Sequence, residues 1–153
     1  IKMENMTTEL QENRPIETTE DGTAVLSFTD SSAMFSSFVP ATRIEKLRFY
    51  NMINNPDKSA KECVNMTIML RDVYAETVKF VDKRGNETPG YRIILIDENG
   101  VSYKCASNGV FGSLTKLFNI CGYPNEWEEP IPVVFRLKNT NNGRNVLMLE
   151  IDI

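Results

Sequence analysis

Residues 91–106 read YRIILIDENGVSYKCA. Two β-rich runs, 91–97 and 101–106, flank Asn99-Gly100, the dipeptide that most strongly signals a tight hairpin because both positions tolerate positive φ. Read as a two-residue turn, it sets Glu98 opposite Val101, Ile96 opposite Tyr103 and Ile94 opposite Cys105. One face then carries Arg92, Ile94, Ile96, Val101, Tyr103 and Cys105. The other carries Tyr91, Ile93, Leu95, Asp97, Ser102, Lys104 and Ala106. Both faces are apolar toward the centre, as in strands buried on two sides over part of their length.

On the carboxyl-terminal side, Asn108 is the expected cap of a helix in which Val110, Leu114, Leu117, Phe118 and Cys121 recur at helical spacing, ended by Gly122. An acidic loop around Trp127 follows. Two alternating strands, 132–138 and 146–153, close the chain across NTNNGRN. On the amino-terminal side, residues 65–81 form a long strand whose apolar parity switches near Arg71-Asp72, the mark of a β-bulge. The polar stretch 82–90 joins it to the hairpin as a longer loop. Thr42 and Glu45 form a capping box that opens an earlier helix, with Ile44, Leu47 and Asn51 on one side and Phe49, Met52 and Ile53 beside them; Asn54-Asn55-Pro56 ends it. Residues 23–29 alternate as a strand, and SSAMFSSFVPA is a loop or second short strand.

From residue 65 the order is strand, strand, strand, helix, strand, strand. A five-stranded barrel with its helix between the third and fourth strands is the OB-fold layout. The expected fold class is therefore mainly β with two helices: an OB-fold-like five-stranded barrel with an added N-terminal strand and helix.

The 153 residues suit one domain. The expected division is a flexible acidic arm, 1–21, and a single OB-fold-like domain, 22–153. The absence of histidine excludes a Ser-His-Asp triad, a Cys-His pair and His-ligated metal. Cys63, Cys105 and Cys121 are odd in number and widely spaced, so buried free thiols are expected rather than a zinc site or a disulfide framework. Neighbouring strand residues point to opposite faces, so Asp97 and Glu98 cannot converge on one ion, and Glu126, Glu128 and Glu129 read as solvated charge. No enzyme, cofactor or metal is expected. No apolar run is long enough to span a membrane and no opening resembles a signal peptide, which points to the cytoplasm.

The net charge is -4. Glu4, Glu9, Glu12, Glu17, Glu20 and Asp21 against Lys2 and Arg14 place all of it in residues 1–21, and residues 22–153 are balanced. The acidity therefore does not argue against a nucleic-acid partner.

The runs NMTIMLRDVYAETVKF (65–80), YRIILIDENGVSYKCASNGVFGSLTKLF (91–118) and GYPNEWEEPIPV (122–133), with the opening ENRPIETTEDGTAVLSFT (12–29), resemble single-stranded-DNA-binding proteins of phages and related mobile elements. The resemblance extends from about Thr7 to the end. It implies an OB-type fold, binding of single strands with little sequence preference, and a role in DNA replication or recombination.

Single-strand binding needs aromatic rings for bases and Lys or Arg for phosphates along a groove. Aromatic and basic residues alternate on the strands here, so the candidate DNA-binding residues are Arg71, Tyr74, Lys79, Phe80, Lys83, Arg84, Tyr91, Arg92, Lys104, Arg136 and Lys138. In an OB barrel the second and third strands and neighbouring loops bind the ligand. The two-residue turn favours a Tyr91/Lys104 face outward, with Tyr103 beside Ile96 in the core. Phe28, Phe111, Phe118 and Phe135 read as core. The expected partners are single-stranded DNA and, through the acidic arm, replication or recombination proteins. The competing reading is a protein-interaction or structural adaptor on the same barrel, which the net-neutral domain would suit.

Overall fold

The computed structural model describes Glu17–Thr18, Ala24–Ser27 and residues 34–153. The expected core position of Phe28 and most of the expected arm lie outside the described residues. In chain order the elements are β1 (Glu17–Thr18), β2 (Ala24–Ser27), β3 (Met34–Ser36), α1 (Arg43–Asn54), β4 (Lys58–Ser59), β5 (Thr67–Val81), β6 (Glu87–Asp97), β7 (Ser102–Cys105), α2 (Asn108–Cys121), β8 (Ile131–Asn139) and β9 (Asn145–Ile151). They fall into two compact units, one with β1, β2 and Glu76–Tyr91, and one with Phe35–Ala75 and Arg92–Ile153.

In the larger unit, β6 pairs with β5 and with β7. The opening of β5 pairs antiparallel with β8, from Thr67↔Val134 to Leu70↔Ile131. β8 in turn pairs with β9, from Val133↔Ile151 to Asn139↔Asn145. With α2 between the third and fourth of these five strands, the chain is mainly β with two helices and a sheet curled as a half-barrel of OB type. β4 was not legible as a strand; it runs parallel to β7, with Lys58 opposite Tyr103 and Ser59 opposite Lys104. Burial on β5 falls on Ile68 and Leu70, then on Val73, so its parity switches at Arg71-Asp72 as expected.

The core is centred on β6. Ile93, Ile94, Leu95 and Ile96 are each at most 1% exposed, as a strand covered on both faces must be. Ile94, Ile96 and Tyr74 pack under Phe49, Met52 and Ile53 of α1. The helix starts where the capping box placed it: Thr42 Oγ1 accepts from the Glu45 N–H at 3.2 Å, and the Glu45 carboxylate accepts from the N–H groups of Ala41 and Thr42. Those two N–H groups hold the Glu45 carboxyl below its ordinary pKa. Only one side of α1 is packed, and Ile44 and Leu47 on the other side remain about half exposed, at 54% and 48%.

The cap of α2 is Ser107, one residue before the expected Asn108, because its hydroxyl serves two partners. It accepts from the Val110 N–H at 3.2 Å and donates to the Leu147 carbonyl of β9 at 2.8 Å. Ser113 adds a second link, accepting from the Leu149 N–H at 3.2 Å. Helix and strand are in close contact here: a Cβ on Gly109 would lie 2.4 Å from the Leu147 carbonyl oxygen. Gly122 ends the helix at φ 82°.

The hairpin register differs by one residue from the expected one. Ile94 pairs with Lys104, Leu95 with Tyr103 and Ile96 with Ser102. The turn has three residues, Glu98-Asn99-Gly100, because the Asp97 N–H pairs with the Val101 carbonyl and Gly100 alone takes positive φ, 82°. The Asp97 side chain builds this turn, accepting from the N–H groups of Asn99 and Val101 at 2.8 and 3.0 Å. A one-residue slip exchanges faces. Tyr103 therefore joins Leu95 and Asp97, and donates its hydroxyl to Asp97 Oδ2 at 2.9 Å. Lys104 takes the parity of Ile94 and Arg92, so the expected Tyr91/Lys104 face is not formed.

In the smaller unit, β1 pairs with β2 (Glu17↔Val25) and β2 with the end of β5, from Ala24↔Val81 to Ser27↔Val78. The loop after β5 is shorter than expected, since β6 begins at Glu87. Asp82 tightens it by accepting from the N–H groups of Arg84 and Asn86. Cys63 and Cys105 are buried free thiols, whereas Cys121, expected in the core, is exposed at the end of α2. Burial raises the thiol pKa of Cys105 to about 11.

Two predictions follow from this packing. Gly109→Val should destabilise the fold by about 1–3 kcal/mol through overpacking against β9; a wild-type urea midpoint would refute the close approach. Burial and the Asp97 hydrogen bond raise Tyr103 from 10.0 to about 12. The folded state holds the neutral phenol where the unfolded chain already ionises it, so this contribution is complete below pH 10 and is lost as pH rises toward 12. Tyr103→Phe should cost about 1 kcal/mol at neutral pH. The difference from wild type should shrink in urea melts as pH climbs through that window, and a constant difference would disprove the linkage.

Candidate nucleic-acid interface

The eleven candidate residues divide between the two units. In the smaller one, Lys79 pairs with Glu87 at 3.5 Å. Phe80 packs on Val78 and over Gly90, where an added Cβ would meet its ring. Tyr91 is half-buried on β6. Lys83 and Arg84 stand exposed in the turn that Asp82 builds, and among the described residues neither forms an ion pair.

In the larger unit most of the candidate bases are already engaged. Arg71 Nε pairs with Asp72 at 3.0 Å and its Nη1 donates to the Glu98 carbonyl at 3.3 Å. Arg136 and Lys138 share Glu150, at 3.5 and 2.5 Å, and Arg136 also donates to Asn65 Oδ1. Lys138 chiefly, with Arg136, holds the Glu150 carboxyl below its ordinary pKa. Arg92 donates to the Ile53 carbonyl at the end of α1. Lys104 is exposed opposite Ile94. Tyr74 is corrected as a base platform. It is 4% exposed, with Phe49 edge-on at 5.9 Å, so neither ring face is open to a base.

None of the eleven candidate residues lies on α1. Arg43, Lys46 and Arg48 are exposed on it and none forms a salt bridge among the described residues. Tyr50 beside them is 68% exposed. The signal was present as spacing: Arg43, Lys46 and Tyr50 recur at i, i+3 and i+7 along one side of α1, while Arg48 lies one turn before Met52 on another. Between α1 and the turn joining β6 to β7 there is a cleft of about 550 Å³, with Phe38, Phe49, Met52 and Ile96 as apolar lining and Arg48 and Arg71 among its polar groups.

Two other groups of residues have structural roles. Phe35, Phe118, Tyr123 and Trp127 cluster with ring centroids 5.4–6.3 Å apart, and Trp127 Nε1 donates to the Gly122 carbonyl. Glu126 accepts from the Tyr123 N–H at 3.3 Å. Among the described residues no cluster of acids and cysteines could hold a metal, and no helix is long and apolar enough to cross a membrane.

A family model for Phi29-type phage single-stranded DNA-binding proteins matches residues 29–152. The chain belongs to this family. No curated protein and no solved structure matches it. As a phage single-stranded DNA-binding protein it has single-stranded DNA as its partner, and cations tied to carboxylates must be released or shared before they meet phosphates.

Glu150 is the clearest such tie. Glu150→Gln should free Arg136 and Lys138, leave thermal stability nearly unchanged because the pair is exposed, and strengthen oligonucleotide binding at low salt. Unchanged affinity in fluorescence anisotropy would remove the β8–β9 face from the interface.

Proposed function

We propose that this protein coats single-stranded DNA with little sequence preference in phage or mobile-element replication or recombination, as a binding protein without catalysis in the host cytoplasm. The observation that carries the reading is the family match over residues 29–152. The OB-type strand set supports it, because this fold places a barrel face and adjoining loops at a ligand. The family match also favours DNA over a protein-only adaptor role.

Of the candidate residues, Lys83 and Arg84 are best placed to neutralise phosphates, since both are exposed without an ion pair among the described residues. Tyr91 and Lys104 are proposed as further contacts. The acidic segment 1–21 is proposed to compete with DNA for cationic groups or to recruit a basic protein; its removal should raise low-salt affinity, and equal affinity would reject self-competition.

The test is anisotropy on short oligo-dT across a salt series. Log K should fall with log salt at about -0.7 per neutralised phosphate. Lys83→Ala and Arg84→Ala should each flatten the slope by about that amount. Oligo-dA and mixed sequences should bind within a few-fold and duplex more weakly. Absence of binding at low salt would overturn the proposal.

A further inference from the structure

The geometry points to the cleft between α1 and the β6–β7 turn as a nucleotide subsite: one base of a bound strand enters against Phe38 and Phe49, and Arg48 and Arg71 hold its phosphate. This inference rests on the reading of the protein as a single-strand binder and goes beyond it by locating a contact on the added helix. The cleft, at about 550 Å³, is large enough for a nucleobase with its sugar.

The lining is suited to a flat ring. Phe38 and Phe49 lie 5.2 Å apart at 34°, and Phe49 is fixed from behind by Tyr74 and the buried β6 isoleucines. A platform held in this way loses little side-chain entropy when a base stacks on it. Met52 and Ile96 complete the apolar wall.

The two guanidinium groups of the cleft equal its two carboxylates in number, and what differs is which of them have donors or acceptors left for a ligand. The two acids of the cleft are committed internally: Glu45 to the N–H groups of Ala41 and Thr42, and Asp57 Oδ2 to the N–H and hydroxyl of Ser102. Arg48 forms no salt bridge among the described residues. Arg71 is oriented by Asp72 and the Glu98 carbonyl, which occupy two of the five donors of its guanidinium. Two guanidinium groups beside an aromatic floor suit a phosphate next to a base. Arg43, Lys46 and the exposed Tyr50 lie on another side of α1 and do not line the cleft. Guanidinium groups with donors to spare beside an aromatic floor argue for a nucleic-acid strand over a second copy of the chain as occupant.

The experiment uses the full chain, oligo-dT and an oligonucleotide of the same length with abasic residues. Arg48→Glu sits on the exposed helix surface, where the fold does not depend on it, and should weaken oligo-dT binding roughly tenfold and flatten the salt slope by about 0.7 or more. Phe38→Ala should weaken oligo-dT binding about ten- to hundredfold. That loss should largely disappear on the abasic strand, which a merely structural defect would not produce. Wild-type oligo-dT affinity in both variants would overturn the subsite, as would a change in sedimentation without a change in DNA affinity. Failure of the wild-type chain itself to bind would instead overturn the single-strand reading.

Discussion

The larger unit depends on burying the centre of β6 from both sides. Four consecutive aliphatic residues, Ile93 to Ile96, are withdrawn from water. An OB-type barrel supplies cover for one face of such a strand, and something else must cover the other. That cover is α1, whose Phe49, Met52 and Ile53 meet Ile94 and Ile96. The added helix is thus required by the apolar pattern of the strand it covers. Removing it would expose a contiguous apolar face on the second barrel strand.

This cover changes where charge is available. Four strand cations of the larger unit lie beside carboxylates or carbonyls: Arg71 on Asp72, Arg136 and Lys138 on Glu150, Arg92 on Ile53. Such pairs at half-exposed sites contribute little to stability and are screened by salt. They do lower the local positive potential that a phosphate backbone would meet. The exposed bases of α1 are differently placed, since the one acid within the helix, Glu45, is turned back to its own amino-terminal cap.

Much of the fold could be read from residues alone. The Thr42/Glu45 box, the parity switch at Arg71-Asp72, both carboxyl-terminal strands and the two-sided apolar run of β6 depend on local chemistry and spacing, and the structure shows each of them. The hairpin register was not legible because Asn99-Gly100 favours a two-residue turn, while the Asp97 carboxylate selects a three-residue one by accepting two backbone N–H groups. The interface was legible only as a set of residue types. Sequence alternation shows that a base is on a strand; it does not show whether Glu150 lies across from it or Tyr74 lies beneath a helix. Those are tertiary facts, and they leave the bases of α1 less engaged than those of the strands.

The two serines of α2 have one more consequence. By meeting the Leu147 carbonyl and the Leu149 N–H, they place α2 against β9 along the side that β8 leaves open, and β4, one end of the main strand order, is only two residues long. Neither of these two strands offers a long open template for another chain to extend the sheet. A neighbouring molecule approaching β9 would meet the side chains of a helix instead of a bare strand edge.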